Sequence, residues 1–465
     1  MTKIIIIGAG PGGYEAAIRA AQLDAEVVLI EKDAAGGTCL NRGCIPTKTL
    51  WKIAEVYKDL EIRNELGILA DNVGLDGVKI RERKDFVVDK VVSGVDFVLG
   101  TYPNIERIKG TAKFKDKNTV LIDTEEGEKE VSGDVVLIAT GSKVAMPPFE
   151  GTDLDNVLTS DSILELETVP KSLVVIGAGV IGMEFASIYA KFGSEVTVIG
   201  GDLLPASDKE VSKRLKSVLS TDGIKFQLNV RAEKIEKTAD GLKVIGSKKG
   251  KDDKVEACGE YVLIATGRKA NINALNLEAV GVETERGAIV ADDEGHTNVE
   301  NIYAIGDCVY GNVQLAHWAT AQGTNCVERI MGSEATTEMN VLPSAVFTLP
   351  ECAQVGKTEQ ELKDEGIDFV KSKYMFTGNG KAVSLAETDG FVKILATPDL
   401  KEILGVHILG PHANDSIHLG AMAIANKLSV EDTSKMIYAH PTLSEVFMEA
   451  VHLLEGHSIN SPKAR

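Results

Sequence analysis

The fold of this chain is decided by the stretch KIIIIGAGPGGYE, residues 3–15. Its apolar β-branched run leads directly into the pattern G-x-G-x-x-G, formed by Gly8, Gly10 and Gly13. In dinucleotide-binding proteins the first glycine permits a tight turn, the second lets the backbone approach a pyrophosphate, and the third lets the helix pack closely on the strand. The stretch therefore predicts a buried parallel strand, a phosphate-binding turn and a helix whose N-terminus faces the phosphates.

The same pattern recurs in the stretch SLVVIGAGVIGME, residues 172–184, with glycines at Gly177, Gly179 and Gly182. A single G-x-G-x-x-G is weak evidence, because structural glycine turns also produce it. Two copies, each directly after a β-branched run, indicate two nucleotide-binding units of the α/β class.

The two units differ at the end of their second strand. In the first unit this strand ends in Glu31, about 20 residues after the glycines, where an acid accepts hydrogen bonds from ribose hydroxyls. In the second unit Gly200 stands at the matching position, and Asp202 follows two residues later. Loss of the acid weakens the preference for NAD and removes repulsion of a 2′-phosphate, yet no arginine follows closely. Asp202 could also substitute from a shifted loop, so the choice between NAD and NADP stays open.

Three further strand ends indicate how the units are arranged along the chain. Residues 135–143 (VVLIATGSK) and 261–269 (YVLIATGRK) are apolar strands that close with Ala-Thr-Gly. Residues 297–308 contain a strand that ends at Asp307, an acid placed to point into a ligand crevice. We therefore expect the first unit to resume after the second, and a separate α+β domain to follow. The predicted limits are residues 1–148 and 272–344 for the first nucleotide-binding domain, residues 149–271 for the second, and residues 345–465 for the C-terminal domain.

Length and composition exclude several classes of protein. The chain has 465 residues, enough for two to four domains, with 44% hydrophobic and 26% charged residues, as in ordinary globular proteins. A net charge of −19 without a long basic run argues against a nucleic-acid partner. No signal sequence and no apolar window of about 18 residues is found, so we expect a cytoplasmic protein that does not span a membrane.

The segment GGTCLNRGCIPTK, residues 36–48, contains the cysteine pair Cys39 and Cys44. A zinc site would need two more Cys or His residues at a compatible spacing, and none lies near this pair in the sequence, so no metal is expected. A structural disulfide closing so short a loop would remove only roughly 2 kcal/mol of unfolded-state entropy. A redox disulfide is favoured, because the following helix would lower a thiol pKa through its dipole. The other four cysteines are expected to be buried small apolar residues, namely Cys258, Cys308, Cys326 and Cys352.

Together with IYAIGD (residues 302–307) and HPTLSE (residues 440–445), these motifs resemble the pyridine nucleotide-disulfide oxidoreductases over essentially the full length. The resemblance implies two Rossmann-like domains, one inserted in the other, and a homodimer built on the C-terminal domain. It also implies an FAD enzyme that oxidises dihydrolipoamide on a lipoyl-bearing protein of a 2-oxo acid dehydrogenase or glycine cleavage complex. The electrons would reduce NAD or NADP.

The resemblance also implies roles for individual residues. Cys44 would lie against the flavin as a thiolate, and Cys39 would exchange with the substrate disulfide. Lys48 would lie beside flavin N5 with Glu184 as its acidic partner. Cofactor contacts are expected at Gly8, Gly10, Gly13, Glu31, Lys48, Ala112, Thr140, Gly141, Asp307, Ala316, Gly177, Gly179, Gly182, Val230 and Gly267.

His440 is expected to be the catalytic base, oriented by Glu445. Within the family each subunit lends this histidine to the thiols of its partner. Two alternatives remain at this point: a disulfide reductase for a thioredoxin-like or other small carrier, and a non-catalytic FAD-binding subunit. The His440–Glu445 pair counts against the second, because a scaffold has no use for a base.

Overall fold

The computed structural model describes residues 1–250 and 253–461. The first part of the chain contains β1 (Lys3–Ile7), α1 (Pro11–Gln22), β2 (Glu26–Glu31), α2 (Gly37–Arg42), α3 (Cys44–Glu61), α4 (Gly77–Gly100), β3 (Ile105–Lys109), β4 (Thr111–Asp116), β5 (Thr119–Thr124), β6 (Gly127–Ser132), β7 (Val135–Ile138) and β8 (Ser142–Val144). The second part contains β9 (Val157–Thr159), a 3₁₀ turn (Ser162–Glu165), β10 (Ser172–Ile176), α5 (Val180–Lys191), β11 (Glu195–Gly200), α6 (Lys209–Thr221), β12 (Lys225–Leu228), β13 (Val230–Thr238), β14 (Gly241–Lys248), β15 (Lys254–Gly259), β16 (Tyr261–Ile264) and β17 (Arg268–Ala270).

The rest of the chain completes the first unit and forms the C-terminal domain. Its elements are a 3₁₀ turn (Leu277–Ala279), β18 (Thr284–Glu285), β19 (Ala288–Ile289), β20 (Ile302–Ala304), a 3₁₀ turn (Gly306–Cys308), α7 (Ala316–Ile330), β21 (Ser344–Val346), β22 (Glu351–Gly356), α8 (Glu359–Asp364), β23 (Val370–Met375), a 3₁₀ turn (Phe376–Gly378), α9 (Gly380–Ser384), β24 (Phe391–Ala396), β25 (Ile403–Gly410), α10 (Ala413–Ala425), α11 (Val430–Ser434) and α12 (Ser444–Glu455). No helix among the described residues is both long and apolar enough to cross a bilayer.

The first glycine motif lies in a five-stranded parallel sheet of order β20-β7-β1-β2-β3. Ile4 to Ile7 of β1 are all buried, as expected for a central strand whose two faces are both covered. Strand β20 follows the second unit in sequence but lies beside β7 in this sheet. The second unit is therefore inserted into the first, which confirms the predicted arrangement.

The second glycine motif lies in a sheet with a matching strand order, except that its edge strand β9 precedes the glycine motif in sequence, whereas the corresponding strand β20 follows. Its order is β12-β11-β10-β16-β9, again parallel, and β10 pairs with β11 as β1 pairs with β2. Each unit also carries a three-stranded antiparallel sheet, β4-β5-β6 between β3 and β7 in the first unit and β13-β14-β15 between β12 and β16 in the second. The duplication therefore covers whole units and is not limited to the glycine turns.

The C-terminal domain is an antiparallel sheet of order β21-β22-β25-β24-β23, against which α10 and α12 pack. The α/β class with a C-terminal α+β domain is thus confirmed. The exact domain limits stay predictions; β21 begins at Ser344, next to the predicted limit at residue 345. A core group of buried side chains joins α5 to Leu50 of α3 and Leu349 of the C-terminal domain, so three parts of the chain meet near the cysteine segment.

A buried ion cluster also ties the second unit to the C-terminal sheet. The ammonium of Lys393, only 1% exposed on β24, lies 2.9 Å from Asp208 and 2.7 Å from Glu359. Burial alone would raise the pKa of Asp208, but charge from His407 and the hydrogen bond from Lys393 hold that pKa below its ordinary value. Asp208 also caps α6 by accepting the N–H of Glu210. The cluster therefore fixes the start of α6 on the C-terminal domain.

Candidate functional site

The cysteine pair lies at the junction of two helices. Cys39 belongs to α2, and Cys44 is the first residue of α3. The N–H of Gly36 donates to the carbonyl oxygen of Ala9 at 2.7 Å. The segment that carries the cysteines is therefore fastened directly to the first glycine turn.

Both cysteines are thiols in the structure, and they differ in acidity. A hydrogen bond from the Cys39 side chain is the main reason why the pKa of Cys44 is lowered to about 7. The ammonium of Lys48 lowers it further, whereas burial and the carboxylate of Glu184 oppose the shift. The same hydrogen bond, together with burial, raises the pKa of Cys39. Cys44 is thus the more acidic thiol of the pair and ionises before Cys39.

Lys48 lies one helical turn after Cys44 on α3, so both side chains are on the same face. Its ammonium contacts both carboxylate oxygens of Glu184, at 2.9 and 2.8 Å. Glu184, which is 4% exposed on α5, also accepts the backbone N–H of Phe347 at 2.9 Å. The ring of Phe347 lies 4.6 Å from the Lys48 ammonium, a cation–π distance. The Glu184 carboxylate, which is buried, is therefore hydrogen-bonded on the side of Lys48 and on the side of Phe347.

The first glycine turn has the shape that a dinucleotide requires. Gly8 has φ of +105°, and a Cβ there would overlap the carbonyl oxygen of Ala139. A Cβ at Gly13 would overlap the oxygen of Gly8. A Cβ at Gly10 would meet no atom within 4 Å, and α1 begins at the next residue without a side-chain cap. The first and third glycines are thus required by packing, whereas the second leaves open space in front of a helix N-terminus. These residues fit a pyrophosphate.

Glu31 lies beside this turn at the end of β2. Its two carboxylate oxygens accept the backbone N–H groups of Ala9 at 2.7 Å and Asp33 at 3.0 Å. Ala112 is buried on β4, and Ala316 is the first residue of α7. The carboxylate is therefore held at the strand end, where a ribose would be bound.

The end of β7 carries the other predicted contacts of the first unit. The hydroxyl of Thr140 is buried and has no hydrogen-bond partner within the described part of the chain, and Gly141 has φ of +64°. Asp307 accepts a hydrogen bond from the hydroxyl of Ser142 at 2.6 Å. Burial raises the pKa of Asp307, and Ser142 and the charge of Arg268 only partly offset this. An unpaired hydroxyl and a buried acid along one crevice suit a polar ligand.

Ser142 and Arg268 were not predicted as site residues. Arg268 donates to the hydroxyl of Ser142 at 2.8 Å, and both residues lie where β8 pairs with β17. One sequence signal could have indicated them. The two Ala-Thr-Gly motifs are followed by Ser142 in the first unit and by Arg268 in the second.

The second glycine turn repeats the geometry of the first. A Cβ at Gly177 would overlap the oxygen of Ala265, and a Cβ at Gly182 would overlap the oxygen of Gly177. A Cβ at Gly179 would meet no atom within 4 Å. Gly267 has φ of +117° and Val230 is the first residue of β13. The second unit therefore also fits a pyrophosphate.

His440 and Glu445 form a pair in the C-terminal domain. His440 Nδ1 lies 2.9 Å from one oxygen of Glu445, and the other oxygen accepts the N–H of Thr442 at 2.8 Å. Burial alone would raise the pKa of Glu445, but these hydrogen bonds from Thr442 and His440 lower it. The His440 side chain is 79% exposed. Within residues 1–250 and 253–461, no hydrogen bond joins His440 to Cys39 or Cys44.

The remaining cysteines were expected to be buried. This is confirmed for Cys308, Cys326 and Cys352 and wrong for Cys258. Cys258 lies on β15 between two buried neighbours, and the alternation of a strand turns its side chain to the solvent. Among the described residues no group of Cys, His, Asp and Glu could hold a metal ion.

A comparison of the sequence with protein families assigns both parts of the chain. The pyridine nucleotide-disulphide oxidoreductase profile matches residues 2–323, and the profile of the dimerisation domain of the same family matches residues 342–451. The chain belongs to the pyridine nucleotide-disulphide oxidoreductases.

Similar oxidoreductases share nearly the whole length of the chain. Dihydrolipoyl dehydrogenase of Bacillus subtilis (strain 168) is 41% identical over 467 residues, covering 99% of this chain and 98% of that protein. Dihydrolipoyl dehydrogenase of Geobacillus stearothermophilus is 40% identical over 463 residues, covering 99% and 97%. Among solved structures, the HOCl-induced flavoprotein disulfide reductase RclA from Escherichia coli superposes with a TM-score of 0.87 at 28% identity, covering 97% of this chain and 99% of that one.

In this oxidoreductase the predicted catalytic residues fall into two groups. Cys39, Cys44, Lys48 and Glu184 form one connected cluster next to the first glycine turn. His440, whose side chain is exposed, pairs with the mostly buried Glu445 elsewhere in the chain. Their roles in catalysis stay predictions.

Proposed function

We propose that this oxidoreductase binds FAD, oxidises the dihydrolipoamide group of a lipoyl-bearing protein and reduces a nicotinamide nucleotide. The observation that carries the proposal is the arrangement of the cysteine pair, in which Cys39 hydrogen-bonds to Cys44 and the Lys48–Glu184 ion pair lies beside Cys44, so that the pKa of Cys44 is lowered and that of Cys39 is raised. Relatives that are about 40% identical over the whole chain and are named dihydrolipoyl dehydrogenase support the choice of substrate.

The two glycine turns provide the cofactor sites of the proposal. Gly10, Glu31 and Asp307 would hold FAD in the first unit, and Gly179 would face the pyrophosphate of the nicotinamide nucleotide in the second. The flavin, when bound, supplies the coupling between two-electron thiol chemistry and hydride transfer. The protein holds the sulfur and the charges in place.

The thiol step follows from the acidities of the two cysteines. A thiolate of dihydrolipoamide attacks the Cys39 sulfur of the Cys39–Cys44 disulfide, and Cys44 leaves as a thiolate. The second substrate sulfur then attacks the first substrate sulfur and releases Cys39, which yields the substrate disulfide and the reduced cysteine pair. A leaving thiol with a low pKa departs faster, so the acidity of Cys44 favours this direction of cleavage.

His440 would accept one of the two protons that the dithiol loses, and the released Cys39 would take up the other. The carboxylate of Glu445 holds Nδ1 of His440, so Nε2 is left to take the proton. Because His440 is 79% exposed in a single chain, a second copy would complete the site by placing its histidine against these cysteines. The match to the family's dimerisation domain supports a homodimer.

The test is steady-state oxidation of dihydrolipoamide with NAD⁺ or NADP⁺, compared with reduction of a thioredoxin-like protein disulfide by NADH or NADPH. Turnover of dihydrolipoamide that is lost in C44S supports the proposal. Turnover of the protein disulfide alone would assign the chain to a carrier reductase, and no turnover of any disulfide would leave a non-catalytic flavin subunit. A lipoylated domain of a 2-oxo acid dehydrogenase or glycine cleavage complex should be a better substrate than free dihydrolipoamide.

A further inference from the structure

In the second unit, no carboxylate at the end of β11 accepts the backbone N–H of the glycine turn, as Glu31 does in the first unit. In the first unit the N–H of Ala9, between two motif glycines, donates to the carboxylate of Glu31. The matching N–H in the second unit belongs to Ala178, which is 4% exposed, and no acceptor for it lies among the described residues. A buried N–H without a partner is unfavourable, so this position is suited to an acceptor oxygen from a ligand.

The backbone at Gly200 leaves no room for the acid that would fill this position. A Cβ at Gly200 would lie 2.8 Å from the nitrogen of Ala178 and 3.1 Å from its Cβ. Real Cβ atoms do not approach a backbone nitrogen so closely without a shift of the chain. The second unit therefore cannot place a carboxylate at this strand end to accept hydrogen bonds from ribose hydroxyls, as Glu31 would in the first unit.

Asp202 does not replace the missing acid. Its side chain is exposed, and it accepts no hydrogen bond and forms no ion pair with any residue whose position the structure gives. Glu31, by contrast, accepts two backbone N–H groups. Asp202 is therefore not fixed on the nucleotide turn.

Lys248 and Lys249, at the end of β14, lie next to the end of β11. The N–H of Asn229 donates to the oxygen of Gly201 at 3.4 Å, and the N–H of Lys249 donates to the oxygen of Asn229 at 2.8 Å. Lys248 is the register partner of Val230, a predicted nucleotide contact. Both lysines are exposed, and neither pairs with a carboxylate of the described residues. The backbone of both lysines therefore lies beside the end of β11, where the acid is missing.

We propose that the second unit prefers a pyridine nucleotide with a 2′-phosphate on its adenosine ribose, and that Lys248 and Lys249 bind this phosphate. The inference rests on the proposed function for the identity of the nucleotide site. A phosphate dianion is attracted by two ammonium groups and by the free N–H of Ala178, and no carboxylate at residue 200 repels it. Lys248 and Lys249 are therefore the residues that determine nucleotide specificity.

The direct test is calorimetric binding of 2′,5′-ADP and of 5′-AMP to the purified, flavin-loaded protein. We expect 2′,5′-ADP to bind at least about tenfold more tightly, as for one or more charge-assisted hydrogen bonds. K248A/K249A should remove most of this difference and lower the ratio of kcat/KM for NADP⁺ to that for NAD⁺ about tenfold. The matched control is K243A, since Lys243 lies at the other end of β14 with its charge 3.3 Å from Glu256.

Three results would overturn the inference. The first is equal binding of 2′,5′-ADP and 5′-AMP. The second is a selective loss of NAD⁺ turnover in D202N, which would show that Asp202 reads the ribose hydroxyls. Rapid dihydrolipoamide oxidation with NAD⁺ alone would reject the inference and leave the proposed function intact. Failure to oxidise dihydrolipoamide with either nucleotide would reject the proposed function, and the binding measurement would still decide the phosphate question.

Discussion

Replacement of Cys39 by alanine should make Cys44 much less acidic. The hydrogen bond from Cys39 is the largest influence that lowers the pKa of Cys44 to about 7. A hydrogen bond to a charged group contributes about 1.5–3 kcal/mol, and 1.36 kcal/mol corresponds to one pKa unit. Because Lys48 still lowers the pKa in the variant while burial still raises it, we expect C39A to move the pKa of Cys44 from about 7 to about 8 or 9.

The assay is the pH dependence of iodoacetamide alkylation in the reduced protein, with the Cys44 peptide quantified by mass spectrometry. C39S is the matched control, because its hydroxyl can donate in place of the thiol and should keep most of the shift. An alkylation midpoint that is the same in C39A and in the unaltered protein would show that the hydrogen bond from Cys39 does not set the acidity of Cys44. A midpoint that moves equally in C39A and C39S would show that the sulfur itself, and not the hydrogen bond, sets the acidity.

Three further predictions concern other parts of the structure. H440A should lower dihydrolipoamide turnover by about 10²–10⁴, as for loss of a general base, which steady-state kinetics of the purified variant checks. G10A should fold but retain less flavin, because its Cβ enters the open space that a pyrophosphate would fill; the flavin-to-protein ratio checks this. G13A should unfold at a clearly lower temperature, because its Cβ overlaps a backbone oxygen; the melting temperature checks this. K393M should lower the free energy of unfolding by about 3–5 kcal/mol, since it leaves Asp208 buried without its cation. The native pKa of Asp208 lies below its ordinary value of 3.8, so its contribution is present above that value and is lost only as the pH falls from there through the depressed pKa; the gap between K393M and the unaltered protein in urea titrations should therefore be larger at pH 7 than near pH 2, and an equal gap at both would contradict this.

The repeated units could be predicted because local sequence dictates them. Each G-x-G-x-x-G follows a β-branched run, and the packing at Gly13 and Gly182 leaves no space for any other residue. The insertion of one unit into the other could be inferred from Asp307. This acid follows an apolar strand and is typical of the ligand crevice of a parallel sheet, and it comes after the second unit in sequence. Such features depend on residues close together in sequence.

Contacts between distant segments gave no comparable signal. Phe347 holds Glu184 through its backbone N–H, and any residue except proline supplies that group, so the amino-acid type carries no information. In the sequence Lys393 is a single polar residue in an apolar strand. Its ion pair with Asp208 could not be predicted, because the fold alone brings these two distant residues together. Cys258 was predicted to be buried because free cysteines usually are, but its place on the outer face of β15 decides otherwise.

The central claim is that the bond between Cys39 and Cys44 opens when the substrate dithiol is oxidised. Its most direct test is to treat the air-oxidised protein, without oxygen or nucleotide, with one equivalent of dihydrolipoamide and to map thiols by differential alkylation. We predict a Cys39–Cys44 disulfide before the addition, alkylatable thiols at both positions afterwards, and an equal amount of lipoamide formed. A disulfide that survives the addition, or two cysteines that never form one, would contradict the account.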